Sequence, residues 1–407
     1  MPGTPITPGV DSDAANGTRA ISGVPPSVAA FVGRARLGPV ETPIEISSFA
    51  QFERDFGGLW PGSALGYAVR DFYDNGGSRA IVLRLLAQPS TGSESASPPE
   101  ADDGQDLTEE SFIGSGTAAA RAGLYALEKA GFFNLLCIPP YRAVNGVPHQ
   151  GVDDAVIAYA AKYCEMRRAF MVLDPPHTWQ TPADAVAGLE RLPKTMNAAV
   201  YFPRLLQADP LRNREQRTMA PCGAIAGIIA RTDAARGLWK APAGLDAVVR
   251  GAAGLSIDLS DAENDALNRL GINCLRRFPE AGTVVWGART LRGDDRLNSV
   301  WKFIPVRRLA LFVEESLYRG TRWVVSAPGG EPLWAQIRDS IGAFMQDLFR
   351  QGAFQGTKPE DAWFVKCDRE TMTQKDIDLG IVNLLVGFAP LKPRDFIVIR
   401  IQQVAAK

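Results

Sequence analysis

Histidine is almost missing from this sequence. Only His149 and His177 occur in 407 residues, and neither stands at ligand spacing from a cysteine. A zinc site of the usual imidazole and thiolate donors is thereby excluded. Cysteine is scarce as well: Cys137, Cys164, Cys222, Cys274 and Cys367 are scattered, odd in number and without a CxxC pair. That is the usage of reduced, buried thiols in a cytosolic product. The net charge of −1 provides no basic field for nucleic acid. No apolar run reaches the roughly 20 residues of a membrane helix; the longest, Ala220 to Ala230, reads as a buried helix. The opening MPGTPITPGVDSDAANGTRA has no basic segment followed by an apolar one, so no secretory signal is expected. GxxxxGK[ST] and GxSxG are absent too, which removes the common phosphate loop and the common serine nucleophile.

What is present is an ordinary globular composition, 46% hydrophobic and 22% charged, in a chain long enough for two or three cored domains. Residues 1–20 are rich in Pro, Gly, Thr and Asp and read as extended. SVAAFVG and RAIVLRLL read as buried strands flanking an amphipathic helix, ALGYAVRDFYD, that Asn75-Gly76-Gly77 closes. Residues 88–111 have almost nothing to bury and read as a linker. Beyond it, helical RAGLYALEKA, DDAVIAYAAKYCEMR, ADAVAGLERL and APCGAIAGIIARTDAARG alternate with strands FNLLCIPP, AFMVLDPP and AAVYFP. Strands apolar on both faces, alternating with helices, predict a mostly parallel α/β sheet. After about residue 282 the rhythm changes. TVVWGART, WKFIPV, RWVVSA, WFVKCD and NLLVGFAP read as strands, and VRRLALFVEESLYRG and the segment from Glu331 read as helices.

The candidates for chemistry are weak. Gly114-Ser-Gly116-Thr-Ala-Ala119 opens a helix but follows a linker, which is the wrong context for a nucleotide loop. Asp368, Glu370, Asp376 and Asp378 lack the spacing and turn glycine of a calcium loop and read as solvated caps. His149 and His177 lie in Pro-rich loops after strands, where a catalytic base could sit, yet no nucleophile motif serves them. The chain ends FIVIRIQQVAAK, a period-2 strand with too few residues after it to turn and pair back.

The order WKFIPVRRLALFVEESLYRGTRWVV, EPLWAQIRDSIGAFMQDLFRQGAFQG, FVKCDRETMTQKDIDLG, VGFAPLKPRDFIVIRIQ resembles a contractile tail sheath protein of myophage tails and phage-tail-like injection systems. VPPSVAAFVGRARLGPVETPIEISSFAQFERDFGG and RAGLYALEKAGFFNLLCIPP resemble the same family, so the likeness runs from about residue 20 to 404. The opening departs from the family's PGVYVEE: Pro8-Gly9-Val10 is followed by DSDAANG, a poor strand former.

The resemblance implies an α/β fold with a middle, subtilisin-like, mostly parallel sheet domain lacking catalytic residues. It adds an α+β C-terminal sheath domain and extended N- and C-terminal arms. The implied segments are a 1–20 arm, a 21–87 α/β subdomain, an 88–111 linker, a 112–282 subtilisin-like domain, a 283–395 tube-facing domain and a 396–407 strand arm. It further implies a structural, non-enzymatic subunit without cofactor or metal. Such a subunit polymerises helically with itself in six-fold rings around an inner tube protein, between baseplate and terminator proteins, and contracts. Neither nucleic acid nor membrane insertion is expected, and the product is made in the bacterial cytoplasm and built into a tail or tail-like particle. Phe396, Ile397, Val398, Ile399, Arg400 and Ile401 would link subunits by adding a strand to a neighbour's sheet. Gly387, Pro390 and Pro393 are hinge candidates. Arg307, Arg308, Arg319 and Arg322 are candidates for an acidic tube. The competing readings are an α/β hydrolase-like enzyme and an adaptor whose last strand captures one partner in a discrete complex.

Overall fold

The computed structural model describes residues 19–87, 106–114, 121–144, 147–391 and 396–405; the side chains of 143, 144 and 147–149 are outside the description. Residues 1–18 of the expected 1–20 arm, most of the expected linker, the loop at 115–120 and Pro393 therefore lie outside the described residues. Elements follow in chain order: β1 (Val28–Gly33), β2 (Ile44–Ile46), α1 (Phe49–Phe56), α2 (Leu65–Asp74), β3 (Arg79–Arg84), α3 (Glu109–Ile113), β4 (Leu135–Cys137), β5 (Arg142–Val144) and β6 (Val147–Gly151). Next come α4 (Asp154–Arg167), β7 (Phe170–Leu173), α5 (Pro182–Leu189), β8 (Ala198–Phe202), β9 (Leu205–Asp209), β10 (Glu215–Met219), α6 (Cys222–Arg236), β11 (Gly254–Leu255), α7 (Asp261–Leu270), β12 (Ile272–Phe278) and β13 (Gly282–Val285). The chain closes with α8 (Ile304–Gly320), α9 (Glu331–Arg350), α10 (Pro359–Ala362), β14 (Trp363–Lys366), α11 (Gln374–Asp378), β15 (Ile381–Phe388) and β16 (Ile397–Val404).

Two compact units divide these elements, one of residues 25–312 and one of residues 1–24 with 313–407. In the first, an eight-stranded sheet runs β13-β12-β8-β7-β4-β1-β3-β2. Its inner pairings are parallel, and only the end strands β2 and β13 pair antiparallel. Alternate residues feed opposite cores. Val28, Ala30, Met171 and Val200 pack in one, while Ala29, Phe31, Val172 and Tyr201 pack in the other. This is why the strands read as continuous apolar runs: both faces are covered. On the second face α6 lies close against α2 through glycines. A Cβ at Gly223 would come within 2.0 Å of the Ala68 carbonyl, and one at Gly227 within 2.4 Å of the Phe72 carbonyl.

The structure corrects several expectations. Residues 21–87 are no separate subdomain, because β1 and β3 sit inside the large sheet between β4 and β2. The boundary at 282/283 moves to 312/313, because β13 continues the sheet and Ile304 and Leu311 join its core. The second half of WKFIPV is the start of α8, and in its first half only Phe303 bridges Arg289. RWVVSA is a 3-10 helix, Arg322–Ser326, because Thr321 and Val324 continue the turn pattern with N–H bonds to Leu317 and Thr321 carbonyls. RAGLYALEKA is likewise a 3-10 helix, Gly123–Lys129, rather than an α-helix.

In the second unit β14, β15 and β16 form an antiparallel sheet in that order. Along α9, Trp334, Ile337, Ile341, Met345 and Leu348 are buried on one stripe, as its apolar spacing requires. The described N-terminal residues lie along α8 and the 3-10 turn: the Val24 amide donates to Ser316 Oγ at 3.0 Å, and the Arg19 guanidinium stands 4.8 Å from the Trp323 ring centroid.

Candidate functional site

The last strand carries the first candidate site. β16 pairs with β15 along eight residues, from Ile381↔Val404 to Phe388↔Ile397. This corrects the expectation that its partner must lie in another chain: in the single chain, β15 supplies the missing ladder. Ile397, Ile399 and Ile401 are buried, whereas Val398 is 47% and Val404 53% exposed. The alternation read in the sequence is thus a real two-faced strand. On the outer face Gln402 Nε2 donates to Asn383 Oδ1 at 3.0 Å; on the inner face Gln403 Nε2 donates to Tyr318 O and Thr321 Oγ1. Arg400 is exposed beside Leu385, and the Phe396 ring lies tilted at 5.9 Å from that of Phe364. β16 is the edge of its sheet, so one side of its backbone faces no strand among the described residues. Exposed edges of this kind are templates for strand addition.

The hinge candidates divide. Gly387 lies inside β15 opposite Phe364, whose ring would be 2.1 Å from an added Cβ, so it serves ring packing. Pro390 bridges Phe354 just past the strand. The arginines divide as well. Arg307 and Arg308 are 7% and 5% exposed. Arg307 Nε donates to Asn197 Oδ1 at 2.9 Å, and Arg308 grips both Asp233 carboxylate oxygens at 2.8 and 2.5 Å and donates to the Pro26 carbonyl. This corrects their assignment as tube contacts. A buried cation at the start of a helix is tolerated because Asp233 neutralises it. Arg319 is half-buried and pairs with Glu315 at 2.6 Å one turn back, and Arg322 is exposed over the Tyr318 ring.

His149 falls within β6 and not in a loop after a strand, and its side chain is outside the description. His177 borders a pocket of about 180 Å³ with Tyr67, Gln150, Arg204 and Arg217. Its pKa is lowered by burial and by the Arg204 charge. Cys222, at the start of α6, is fully buried, and burial pushes its thiol far above the ordinary range, which leaves it unreactive. Asp368, Asp376 and Thr373 make local caps, and no metal-holding cluster occurs among the described residues. Sequence reading missed the polar cluster beside the pocket. Asp71 of α2 accepts from Gln207 Nε2 at 2.9 Å, and Asp209 accepts from Tyr67 Oη at 3.0 Å and pairs with Arg217 at 3.1 Å. The only signal was the alternation of Gln207 and Asp209 with Leu206 and Ala208 in LLQAD, which marks a two-faced strand.

Comparison with known proteins is consistent along the chain. The profile of the phage tail sheath protein central domain matches residues 114–291, and that of the phage tail sheath C-terminal domain matches 297–404. A prophage major tail sheath protein of Pseudomonas aeruginosa is 28% identical over 305 residues, covering 72% of this chain and 70% of that one. The PVC sheath of an extracellular contractile injection system, in its contracted state, superposes with a TM-score of 0.73 at 25% identity over 99% of both chains. The contracted helical sheath of the anti-feeding prophage superposes with a TM-score of 0.71 at 26% identity, covering 98% of this chain and all of the other.

Proposed function

The chain belongs to the phage tail sheath family and is a contractile sheath subunit of a phage tail or tail-like injection system; from that premise we propose how its residues carry the work. Residues 25–312 form the body, subtilisin-like in layout and structural in role. Residues 313–395 form the tube-facing part, and 396–407 the linking arm, with 1–20 as its counterpart at the other end. Copies polymerise helically in six-fold rings around an inner tube, between baseplate and terminator proteins, after synthesis in the cytoplasm.

The observation that carries this reading is the edge position of β16. An eight-residue ladder is the same set of backbone bonds whether β15 belongs to the same chain or to a neighbour. At roughly 0.5–1.5 kcal/mol net per bond, exchange costs little and each link is still strong. A head-to-tail exchange that does not close gives a filament. Links of this kind survive rotation of the bodies during contraction, with Pro390 as the remaining described hinge candidate. Arg319 and Arg322 remain the candidates for salt-sensitive contact with an acidic tube.

Electron microscopy of the full chain beside one ending at Arg394 tests the arm: hollow tubes from the first and none from the second are expected. An Asn383→Cys/Gln402→Cys variant, oxidised after assembly, then tests the exchange. The two positions are direct ladder partners, so exchanged strands yield a covalent ladder on a denaturing gel. Tubes with only intrachain bridges would sink strand exchange and leave the sheath assignment intact.

A further inference from the structure

In the second unit a groove of about 430 Å³ opens where α9 begins and β16 ends. Its apolar walls are Trp334 of α9, Ile377 of α11, Ile381 and Val382 of β15, and Ala405. Gly329 and Gly330 line it without side chains, and a Cβ on Gly329 would meet no atom within 4 Å. The apolar surface continues along the chain beside it, where Leu379 is 45% and Val404 53% exposed. We infer that in the free subunit this groove holds the chain's own residues 2–8 as a polyproline II segment.

The sequence of that segment fits the groove. In PGTPITP, Pro2, Pro5 and Pro8 recur at every third residue. Three residues is the repeat of polyproline II, so one edge carries all three rings. Proline has no N–H to leave unpaired against an apolar wall, and residues 1–10 carry no charged side chain. Segments of this kind dock in grooves with aromatic walls because they are already ordered. The point where the arm leaves the described chain fits as well. Arg19 stands over the Trp323 ring. Trp323 belongs to the 3-10 turn Arg322–Ser326, which leads through Gly329 and Gly330 into α9. Beside that turn Gln403 Nε2 donates to Thr321 Oγ1 at 2.9 Å, and two residues further on Ala405 is a groove wall. Two strand residues cover only about 7 Å, whereas residues 9–18 can span roughly 30 Å. Arm and groove belong to the same unit, and the seat does not depend on which chain supplies β16.

The test is a disulfide trap in the full chain, below the concentration at which tubes form. Ile6→Cys is combined with Ile377→Cys, whose side chain is at the groove and 38% exposed. The control combines Ile6→Cys with Gln351→Cys, exposed at the far end of α9 and roughly 30 Å from its start. After mild oxidation, mass mapping of the monomer should find the 6–377 bridge about tenfold more abundant than the 6–351 bridge. Replacing Pro2, Pro5 and Pro8 by glycine leaves the folded part untouched and should bring the 6–377 yield down to the control. Should Ile377→Cys fail to fold by circular dichroism, Gly329→Cys takes its place. Equal yields at the two positions, a yield unchanged by the glycines, or bridges formed mainly between chains would overturn the inference.

Discussion

Asp71 is 3% exposed on α2, and burial raises its carboxyl to about 6 even though Arg70 and Gln207 pull it down. An unfolded aspartate titrates near 3.9. Between about pH 4 and 6 the folded chain holds a proton that the unfolded chain has released, so stability from this group falls as pH rises through that window and is flat above it. The span amounts to about 2–3 kcal/mol. Asp71→Asn keeps an acceptor for Gln207 and removes the titration; its stability relative to the unaltered chain should grow from pH 4.5 to 7, as urea midpoints will show. A constant difference would mean that Asp71 is ionised throughout. Arg308 makes the opposite case. Its bidentate bond to Asp233 neutralises two buried charges, and Arg308→Ala should cost about 3–5 kcal/mol because it strands Asp233. Arg308→Met with Asp233→Leu should recover much of that loss. Equal loss in the single and double variants would show that the pair is not the cause.

At the scale of elements, the sequence was legible wherever local pattern and tertiary role agree. β1, β3, β7 and β8 are apolar runs because two cores sandwich them, and α9 shows its stripe because one face is covered. The small sheet of β9, β10 and β11 was not legible. EQRTM has no apolar periodicity, and β10 is a strand only because β9 pairs with it. RWVVSA has β-branched residues yet ends a helix, since backbone bonds from Thr321 and Val324 outweigh strand propensity. Of the candidate sites, the C-terminal strand was legible down to its inward isoleucines. Its partner was not, because the register with β15 is a long-range choice that a strand's own alternation does not specify. Arg307 and Arg308 misled for the same reason. Charge at the start of a helix is visible in sequence, whereas Asn197 and Asp233, the groups that bind it, are distant along the chain.

For the whole molecule, the division at 312/313 separates a body with two complete hydrophobic cores from a sheet that ends in an open edge. Both cores of the large sheet are built from residues between Val28 and Leu311. A fragment of residues 25–320, which keeps α8 whole, should therefore fold by itself. It should unfold in one cooperative step, as expected for a unit whose core is contiguous. It lacks β15 and β16 and hence both sides of the proposed exchange. Light scattering should find it monomeric at concentrations where the full chain forms tubes, and adding it in excess should not shorten those tubes. A fragment that polymerised would move the linking surface onto the body. One that failed to fold would mean that residues 1–24 or 321–407 supply part of its stability. Success would place the work of assembly in the last quarter of the chain.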